Sequence, residues 1–340
     1  MTRVLMAMSG GVDSTAAALL LQEQGYDLVG CTFRTRYTRD EDVQAARQLA
    51  ASLHIKHVVL DADQRFEEEV VKYFCHEYLS GRTPNPCVLC NRQIKFGWLL
   101  EEADRFGCDK IATGHYARLQ STEQGLFLAR AKDERKDQTY FLWQVAPDTW
   151  SRVLFPLGDY TKDEIRHYLA AQGWEQLSQS GESQDICFIH NDYRDFLLAH
   201  AQQEQVGQAF SAGDYVDAAG NRLGQHQGFA SYTIGQRKGL GVALGEPAFV
   251  TKIDAQHNQI TLGKHADLYA KEVTLRDVMW RGDSEVKVLA QIRYRSQPSK
   301  AVFQPSTQQV VFTAPVWGVT PGQSVVMYQN GLLVGGGIIQ

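Results

Sequence analysis

The first residues that could do chemistry form the run Ser9-Gly-Gly-Val-Asp-Ser14, close to the start of the chain. The apolar run over 4–8 predicts a buried parallel strand, because strands covered on both faces lose the alternation of polar residues. The two glycines permit a turn with exposed backbone N–H groups, and Ser14 opens a helix predicted over 15–24. Unpaired amides and the positive end of a helix dipole favour negative charge, so the stretch predicts an anion site. The usual mononucleotide and dinucleotide loops, G-x-x-x-x-G-K-[ST] and G-x-G-x-x-G, are absent.

Cysteines form the second reactive group. Cys87 and Cys90 follow a proline-rich loop and precede a helix predicted from Asn91, and Cys187 lies much further along the chain. A cysteine at a helix N-terminus has its thiolate favoured by the dipole, which predicts a lowered pKa and greater nucleophilicity. The pair alone would also suit a structural zinc ion, but no second pair at ligand spacing follows.

An alternation of strands and helices must position these groups. Strands are predicted over 28–33, 57–60 and 110–113, and helices over 66–79 and 94–106. Elements of these lengths in this order predict right-handed βαβ units and a parallel sheet. Ligands of such sheets bind beyond the carboxyl ends of the strands, so Ser9, Phe33 and Gly114 are expected to face one crevice.

The second half of the chain changes in character. Thr161 and Glu164 form a predicted capping box, and helical character continues to about residue 205. Beyond it, short alternating segments and turn residues predict antiparallel strands over 286–294, 309–313, 324–328 and 332–339. We therefore predict an α/β catalytic domain with a parallel sheet over 1–205, a small mixed module over 206–272, and an antiparallel β-barrel over 273–340.

Composition sets broad limits. The chain has 340 residues, 44% of them hydrophobic and 21% charged, which is typical of a globular protein with two or three domains. A net charge of −5 neither requires nor excludes a nucleic-acid partner. Without an 18-residue apolar run or a signal peptide, we expect a cytoplasmic protein that binds no membrane. Its six cysteines are accordingly expected to serve as thiols, metal ligands or redox groups rather than as a structural disulfide framework.

The glycine loop resembles the S-G-G-x-D-S loop of the PP-loop ATP pyrophosphatases, also described as adenine nucleotide alpha hydrolase-like. These enzymes split ATP between its α and β phosphates and adenylate a substrate. The residue types suit that chemistry, since amides and two hydroxyls can hold pyrophosphate oxygens and Asp13 can hold Mg²⁺ through oxygen.

Further motifs extend the resemblance over essentially the whole chain, to the MnmA family of tRNA-specific 2-thiouridylases. In chain order they are T-P-N-P-x-x-x-C-N (83–91), A-T-G-H-Y (112–116), K-D-Q (136–138), S-x-x-I-C-F (183–188), G-Q-R-K-G-L-G (235–241), R-Y-R (293–295), P-G-Q (321–323) and G-G-G-I-I (335–339). The resemblance implies that ATP adenylates the C2 oxygen of the wobble uridine in tRNA, and that a cysteine persulfide then replaces AMP with sulfur.

The resemblance also implies roles for single residues. Cys187 matches the persulfide carrier, and Cys90 matches the nucleophile that completes sulfur release and leaves a Cys90–Cys187 disulfide. The positions that match the ATP site are Ala7, Met8, Ser9, Gly10, Gly11, Val12, Asp13, Ser14, Phe33 and Gly114. Asn85, Pro86 and Cys87 match the loop that meets the target base. The positions that match other tRNA contacts are His115, Lys136, Asp137, Gln138, Arg293, Tyr294 and Gln323.

One departure leaves the sulfur chemistry open. Many family members carry aspartate where this chain has Cys87, and a thiol of pKa about 8.5 could replace that acid/base group only if its pKa were tuned. Alternatively, Cys87, Cys90 and Cys187 could hold an iron–sulfur cluster with one open iron.

Two other functions compete with tRNA thiolation. One is a PP-loop synthetase that adenylates a small molecule, and the other is an RNA-binding module whose ATP loop only switches conformation. The thiolase hypothesis implies three partners or states: a tRNA with a modifiable wobble uridine, a persulfide donor such as a cysteine desulfurase or a relay protein, and a monomeric enzyme.

Overall fold

The computed structural model describes residues 1–181, 186–203, 207–242, 244–282 and 284–340. The chain divides into two compact units. The first contains residues 1–70, 87–188 and 330–334, and the second contains residues 71–86, 189–329 and 335–340. The predicted domain boundary at 205/206 lies outside the described residues. Among the described residues, no helix has the length and apolar character needed to span a membrane.

The first unit is built on a parallel sheet, as predicted. Its five strands lie in the order β3-β2-β1-β4-β7. They are β1 (Arg3–Ala7), β2 (Asp27–Arg34), β3 (Lys56–Asp61), β4 (Lys110–Ala112) and β7 (Val153–Leu154). The three central residues of β1 are fully buried because the strand has neighbours on both sides, pairing with β2 and with β4.

Helices surround this sheet. Helices α1 (Val12–Glu23) and α2 (Asp40–Ser52) contact its strands, and α3 (Asp63–Phe66) follows β3; α7 (Lys162–Ala171) packs against α1, and α8 (Glu175–Ser178) packs against α7. The alanine-rich face of α1 is buried in the core together with Leu20 and Leu21. This helix begins at Val12, earlier than predicted, so Ser14 lies within its first turn. The predicted capping box at the start of α7 is confirmed, with Glu164 N–H donating to the Thr161 hydroxyl at 3.2 Å.

The cysteine-bearing segment forms one helical run. It consists of α5 (Pro86–Cys90), a π-helix (Asn91–Trp98) and α6 (Leu99–Arg105). The predicted loop up to Cys90 was therefore wrong: the helix starts at Pro86, since proline suits a first helical position, where no backbone donor is needed. Cys87 consequently lies in its first turn, and Cys90 is its fifth residue. A second π-helix (Glu67–Val71) precedes α4 (Lys72–Leu79).

A short hairpin completes the first unit and was not predicted. Strands β5 (Arg118–Thr122) and β6 (Gly125–Ala129) pair antiparallel, and Ala129 pairs with Leu332 near the end of the chain.

The second unit contains two sheets and the helix α9 (Tyr193–Gln203). The smaller sheet has the order β10-β11-β8-β9. Its strands are β8 (Gly213–Val216), β9 (Arg222–His226), β10 (Phe249–Asp254) and β11 (Gln259–Gly263). Tyr215, Val250 and Ile260 are fully buried in the core beneath it.

A six-stranded antiparallel barrel forms the C-terminal part, as predicted. Its order is β12-β15-β14-β13-β16-β17, and pairing of β12 with β17 closes it. The strands are β12 (Tyr269–Trp280), β13 (Val286–Gln291), β14 (Ser299–Gln304), β15 (Gln309–Trp317), β16 (Ser324–Gln329) and β17 (Leu332–Ile339).

Candidate active site

The glycine loop after β1 is held in one shape by its own side chains. Ser14 Oγ lies 3.3 Å from Ser9 Oγ and donates to the carbonyl of Gly11 at 3.1 Å. Gly10 has φ +77°, and a Cβ there would lie 3.0 Å from the backbone nitrogen of Ala46 in α2. Position 10 therefore requires glycine for two reasons, its dihedral angle and the close approach of α2. The loop is organised before any ligand binds.

Asp13 in this loop contacts a buried lysine that the sequence analysis missed. Lys162 Nζ lies 2.7 Å from Asp13 Oδ1, and the lysine is only 4% exposed. Tyr116 OH donates to the same oxygen at 2.9 Å, and no described residue bonds to Oδ2. A carboxylate oxygen is a suitable Mg²⁺ ligand, so Oδ2 could hold the metal while Oδ1 keeps its two donors. The capping box located the helix around Lys162, but no local signal links that lysine to Asp13.

The other predicted nucleotide-site residues lie around the ends of β1, β2 and β4. A Cβ on Gly114 would lie 3.0 Å from the carbonyl carbon of Asp13, so the strand end passes directly against the loop. Met8 accepts a hydrogen bond from the Thr32 hydroxyl at 2.6 Å, which fixes β1 to β2 beside Phe33. The Phe33 ring lies 5.3 Å from the ring of Trp98 in the π-helix. Ala7 ends β1, and Val12 begins α1.

Cys87 and Cys90 lie at a helix N-terminus, but their pKa values are not lowered. Burial raises the pKa of the Cys87 thiol to about 11 and that of the Cys90 thiol to about 12. The predicted lowering of the thiol pKa values was wrong because burial raises a pKa by more than a helix dipole lowers it. A helix dipole contributes about 1 kcal/mol, less than one pKa unit, whereas burial shifts a pKa by up to about 3–5 units.

Cys187 has a different setting, although it interacts electrostatically with both of the other thiols. It is exposed, yet desolvation by the surrounding protein still raises its pKa. The next residue, Phe188, is 2% exposed and packs with ring centroids 5.6 Å from Phe66 and 5.8 Å from Tyr37. This aromatic anchor fixes the chain beside an accessible sulfur. The preceding motif residues, 183–185, lie outside the described residues.

Lys95 is the cation shared by the three thiols, and it too was missed. Its charge lowers the pKa of Cys87, Cys90 and Cys187, although burial outweighs it in each case. It lies in the π-helix five residues after Cys90, is half-buried, and forms no ion pair with any described residue. π-helical turns are rare and occur often at functional sites.

The thiols of Cys87, Cys90 and Cys187 are not arranged as a metal site in the described structure. In that part of the chain, no group of three or more His, Cys, Asp or Glu side chains is arranged to hold a metal ion. All six cysteines are free thiols in the structure. The side chains in the described part of the chain therefore do not form an iron–sulfur site.

His115 lies in the interior. It is 7% exposed, its Nδ1 is 2.8 Å from the Thr113 hydroxyl, and its ring packs 5.6 Å from Phe96. Burial and the charge of Lys95 hold its pKa well below the usual value, so the imidazole is neutral at pH 7. A contact of His115 with tRNA remains a prediction.

The Lys136–Gln138 motif is anchored to the first unit by its last two residues. Asp137 is 7% exposed and accepts hydrogen bonds from Ala131 N–H at 3.0 Å and from the Thr139 hydroxyl at 2.7 Å. Gln138 exchanges two hydrogen bonds of 2.9 Å with the backbone of Tyr116, which also contacts Asp13. The motif thus supports the segment beside the glycine loop, and its contact with tRNA remains a prediction.

The predicted RNA contacts of the second unit are partly engaged within the protein. Arg293 donates to the carbonyl of Gly318 and to the Thr320 hydroxyl, and Gln323 donates to the carbonyls of Thr83 and Pro84. Tyr294 is half-buried.

Comparison with known proteins agrees with this arrangement. Three family models match in order: a tRNA methyl transferase HUP domain over residues 2–191, a tRNA methyl transferase PRC-barrel domain over 195–264, and an aminomethyltransferase beta-barrel domain over 270–339. A tRNA-specific 2-thiouridylase MnmA 3 of Bacteroides fragilis is 44% identical over 99% of this chain and 94% of its own length. A tRNA-specific 2-thiouridylase MnmA of Syntrophomonas wolfei is 43% identical over 99% of both chains.

A solved structure of a 4-thiouridine synthetase–RNA complex with bound ATP covers 60% of this chain and 52% of its own. Its sequence identity of 17% and TM-score of 0.41 are too low to support an argument about function. The full-length relatives carry the assignment: the chain belongs to the tRNA-specific 2-thiouridylase family.

Proposed function

We propose that this protein is an ATP-dependent sulfurtransferase that converts the wobble uridine of tRNA to 2-thiouridine. The observation that carries the proposal is the coexistence in one compact unit of a preformed anion loop and a cluster of three thiols around one lysine. A nucleotide loop alone would serve any adenylating enzyme, whereas the thiols supply the second half of a sulfur transfer.

The glycine loop supports the first step. The C2 oxygen of uridine attacks the α-phosphorus of ATP, and pyrophosphate leaves. Backbone amides of the loop and the hydroxyls of Ser9 and Ser14 would hold the pyrophosphate oxygens, and Asp13 would hold Mg²⁺. Lys162 neutralises Asp13 before the nucleotide binds and would stabilise charge on the leaving group afterwards.

The thiols support the second step. The outer sulfur of a Cys187 persulfide attacks C2, Cys90 attacks the inner sulfur, and AMP leaves with the former C2 oxygen. The outer sulfur is thereby reduced to the thiocarbonyl and the two cysteines are oxidised to a disulfide, so a dithiol reductant must reset the enzyme. The exposed position of Cys187 suits loading by a persulfide donor, and the half-buried position of Cys90 suits a step partly shielded from water.

An RNA partner fits the chemistry of the reacting groups. A uracil must leave its stack to reach a half-buried thiol, and the unpaired bases of a single-stranded anticodon loop lower the cost of unstacking. We place Asn85, Pro86 and Cys87 at the target base because they match the loop that meets the base in the family and lie shortly before Cys90 in the chain. We also propose that the enzyme acts as a monomer in the cytoplasm.

The test uses protein purified without oxygen, unmodified tRNA, ATP, Mg²⁺ and a persulfide donor, with nucleosides analysed by mass and iron counted in parallel. The proposal predicts 2-thiouridine from protein without iron. Pyrophosphate release without a thiolated nucleoside would instead indicate a small-molecule synthetase, and product proportional to bound iron would restore the cluster route.

A further inference from the structure

We propose that Gln323 is a positioning residue that shapes the base loop (residues 83–86), rather than a donor to a tRNA phosphate. The inference rests on the proposed function for its consequence in catalysis, but its structural basis lies entirely within the second compact unit.

The contacts between the base loop and the barrel come from one turn. Thr83 N–H donates to the carbonyl of Pro321 at 2.9 Å, and Gln323 Nε2 donates to the carbonyls of Thr83 at 2.8 Å and Pro84 at 3.2 Å. Gly322 lies between these contacts with φ +91°, and a Cβ there would lie 2.9 Å from the Thr83 oxygen. The turn at 321–323 therefore acts as a template for the loop backbone immediately before Asn85.

The amide of Gln323 has no donor left for a phosphate. A side-chain amide has two N–H donors, and both are used by the base loop. Rotating the amide by 180° would place Oε1 against two carbonyl oxygens, so this orientation is fixed by its partners. Binding a phosphate through Nε2 would require Gln323 to release the loop that holds the target base.

The turn is itself braced from the barrel. Gly322 N–H donates to the carbonyl of Ile339 at 2.9 Å, and Ile339 N–H donates to the carbonyl of Gln323 at 2.8 Å. Arg293 donates to Gly318 and, at 2.7 Å, to the Thr320 hydroxyl, directly before the turn. Hydrogen bonds of the barrel thus hold the turn at 321–323, and the turn in turn holds a loop that is distant in sequence.

The base loop is also tied down on its N-terminal side. Glu77, which is 3% exposed, lies 2.6 Å from an Arg82 nitrogen and 2.7 Å from an Arg276 nitrogen of β12. Thr83 Oγ1 reaches Thr233 at 3.5 Å. These contacts hold the N-terminal side of the base loop, and the hydrogen bonds from Gln323 hold the backbone of Thr83 and Pro84 next to Asn85.

The experiment compares Gln323→Glu, which is isosteric but lacks donors, and Gln323→Ala with the matched control Gln329→Ala, an exposed glutamine at the other end of β16. In the free protein, hydrogen exchange of the Thr83 amide, which donates to the carbonyl of Pro321, should accelerate about tenfold in both Gln323 variants, because the loop loses two hydrogen bonds beside it. The single-turnover thiolation rate at saturating tRNA should fall about tenfold, while the Kd for tRNA stays within about twofold. The control should change neither.

Combining Gln323→Ala with Asn85→Ala gives a second readout. If Gln323 acts through the loop, the double variant should be no slower than Asn85→Ala alone, because the two substitutions remove the same effect. Unchanged exchange of the Thr83 amide, or a tenfold weaker Kd with an unchanged rate at saturation, would overturn the positioning role. A wild-type protein that thiolates no tRNA would contradict the proposed function instead, and the exchange measurement would still decide the role of Gln323.

Discussion

The glycine loop and the thiol cluster lie in the same compact unit but are prepared for chemistry to very different degrees. In the loop, hydroxyls, a glycine at positive φ and the Asp13–Lys162 pair are already in place. In the cluster, burial keeps Cys87 and Cys90 protonated at neutral pH, and the charge of Lys95 only partly offsets it.

The difference follows from what each region must receive. A nucleotide is negatively charged, so the protein can keep its hydrogen-bond donors and cation in place in the glycine loop before binding, since these groups are not reactive. A permanently ionised, accessible thiolate would be open to oxidation, and a raised pKa protects it until a persulfide is loaded. The two regions should therefore respond separately to substitution.

The largest expected effect is that of Cys187→Ser, which should remove the activity of the thiol cluster and leave that of the glycine loop. Cys187→Ser should abolish thiolation, because serine cannot carry a persulfide, while pyrophosphate release with ATP and tRNA stays near the wild-type rate. Nucleoside mass analysis and a pyrophosphate assay measure the two halves. Cys108→Ala removes a buried thiol outside the cluster and serves as the control; equal loss of both activities in Cys187→Ser would contradict the separation.

Lys162→Met should have the opposite pattern. Loss of the buried cation leaves Asp13 uncompensated and removes stabilisation of the leaving group, so pyrophosphate release should fall about 10²–10³-fold. Alkylation of Cys187 should continue unchanged. Lys132→Met provides a matched control, since Lys132 pairs with Glu164 at the surface. Normal pyrophosphate release from a folded Lys162→Met variant would contradict a role of Lys162 in adenylation.

Lys95→Met should affect the sulfur region alone and more moderately. Because Lys95 lowers the thiol pKa values, its removal raises them, and the thiolate fraction at pH 8 should fall about tenfold for each unit of increase. The rate of iodoacetamide labelling of Cys187 from pH 7 to 10 measures this, with Lys95→Arg expected to preserve most of the reactivity. A labelling profile identical to wild type would show that the charge does not act on the sulfur.

Cys87→Ser is expected to have the smallest effect, within about threefold of the wild-type thiolation rate, because the persulfide route needs only two sulfurs. Thiolation with quantified iron is the measurement. A loss as complete as that of Cys187→Ser, with bound iron in the wild type, would favour three thiolate ligands.

Sequence reasoning found what local residue order determines. The glycine loop, the parallel sheet and the barrel each depend on short patterns, whereas the cysteine roles come from the resemblance and stay predictions. Lys162 could not be found in this way, since its partner Asp13 lies 149 residues away and only packing of α7 joins them. The hairpin β5–β6 was missed although its pairing is local, because its two-residue turn, Glu123-Gln124, lacks the Asn-Gly or Asp-Gly pair typical of such turns.

The thiol pKa values show a second limit. The order of residues around Cys90 indicated a helix N-terminus and hence a favourable dipole, but burial is a property of the folded chain and outweighs it. Likewise, the sequence could not show that the donors of Gln323 face the base loop, because that contact depends on how the chain folds; its contact with tRNA stays a prediction.

The central claim is that adenylation and sulfur transfer are separable steps carried out by the two regions. The most direct test incubates Cys187→Ser with unmodified tRNA, Mg²⁺ and ATP labelled at the α-phosphate. We predict that labelled AMP becomes attached to tRNA in step with pyrophosphate release, because the adenylate forms and no sulfur displaces it. Absence of label on tRNA, together with attachment of label to a small molecule or to the protein, would contradict the account.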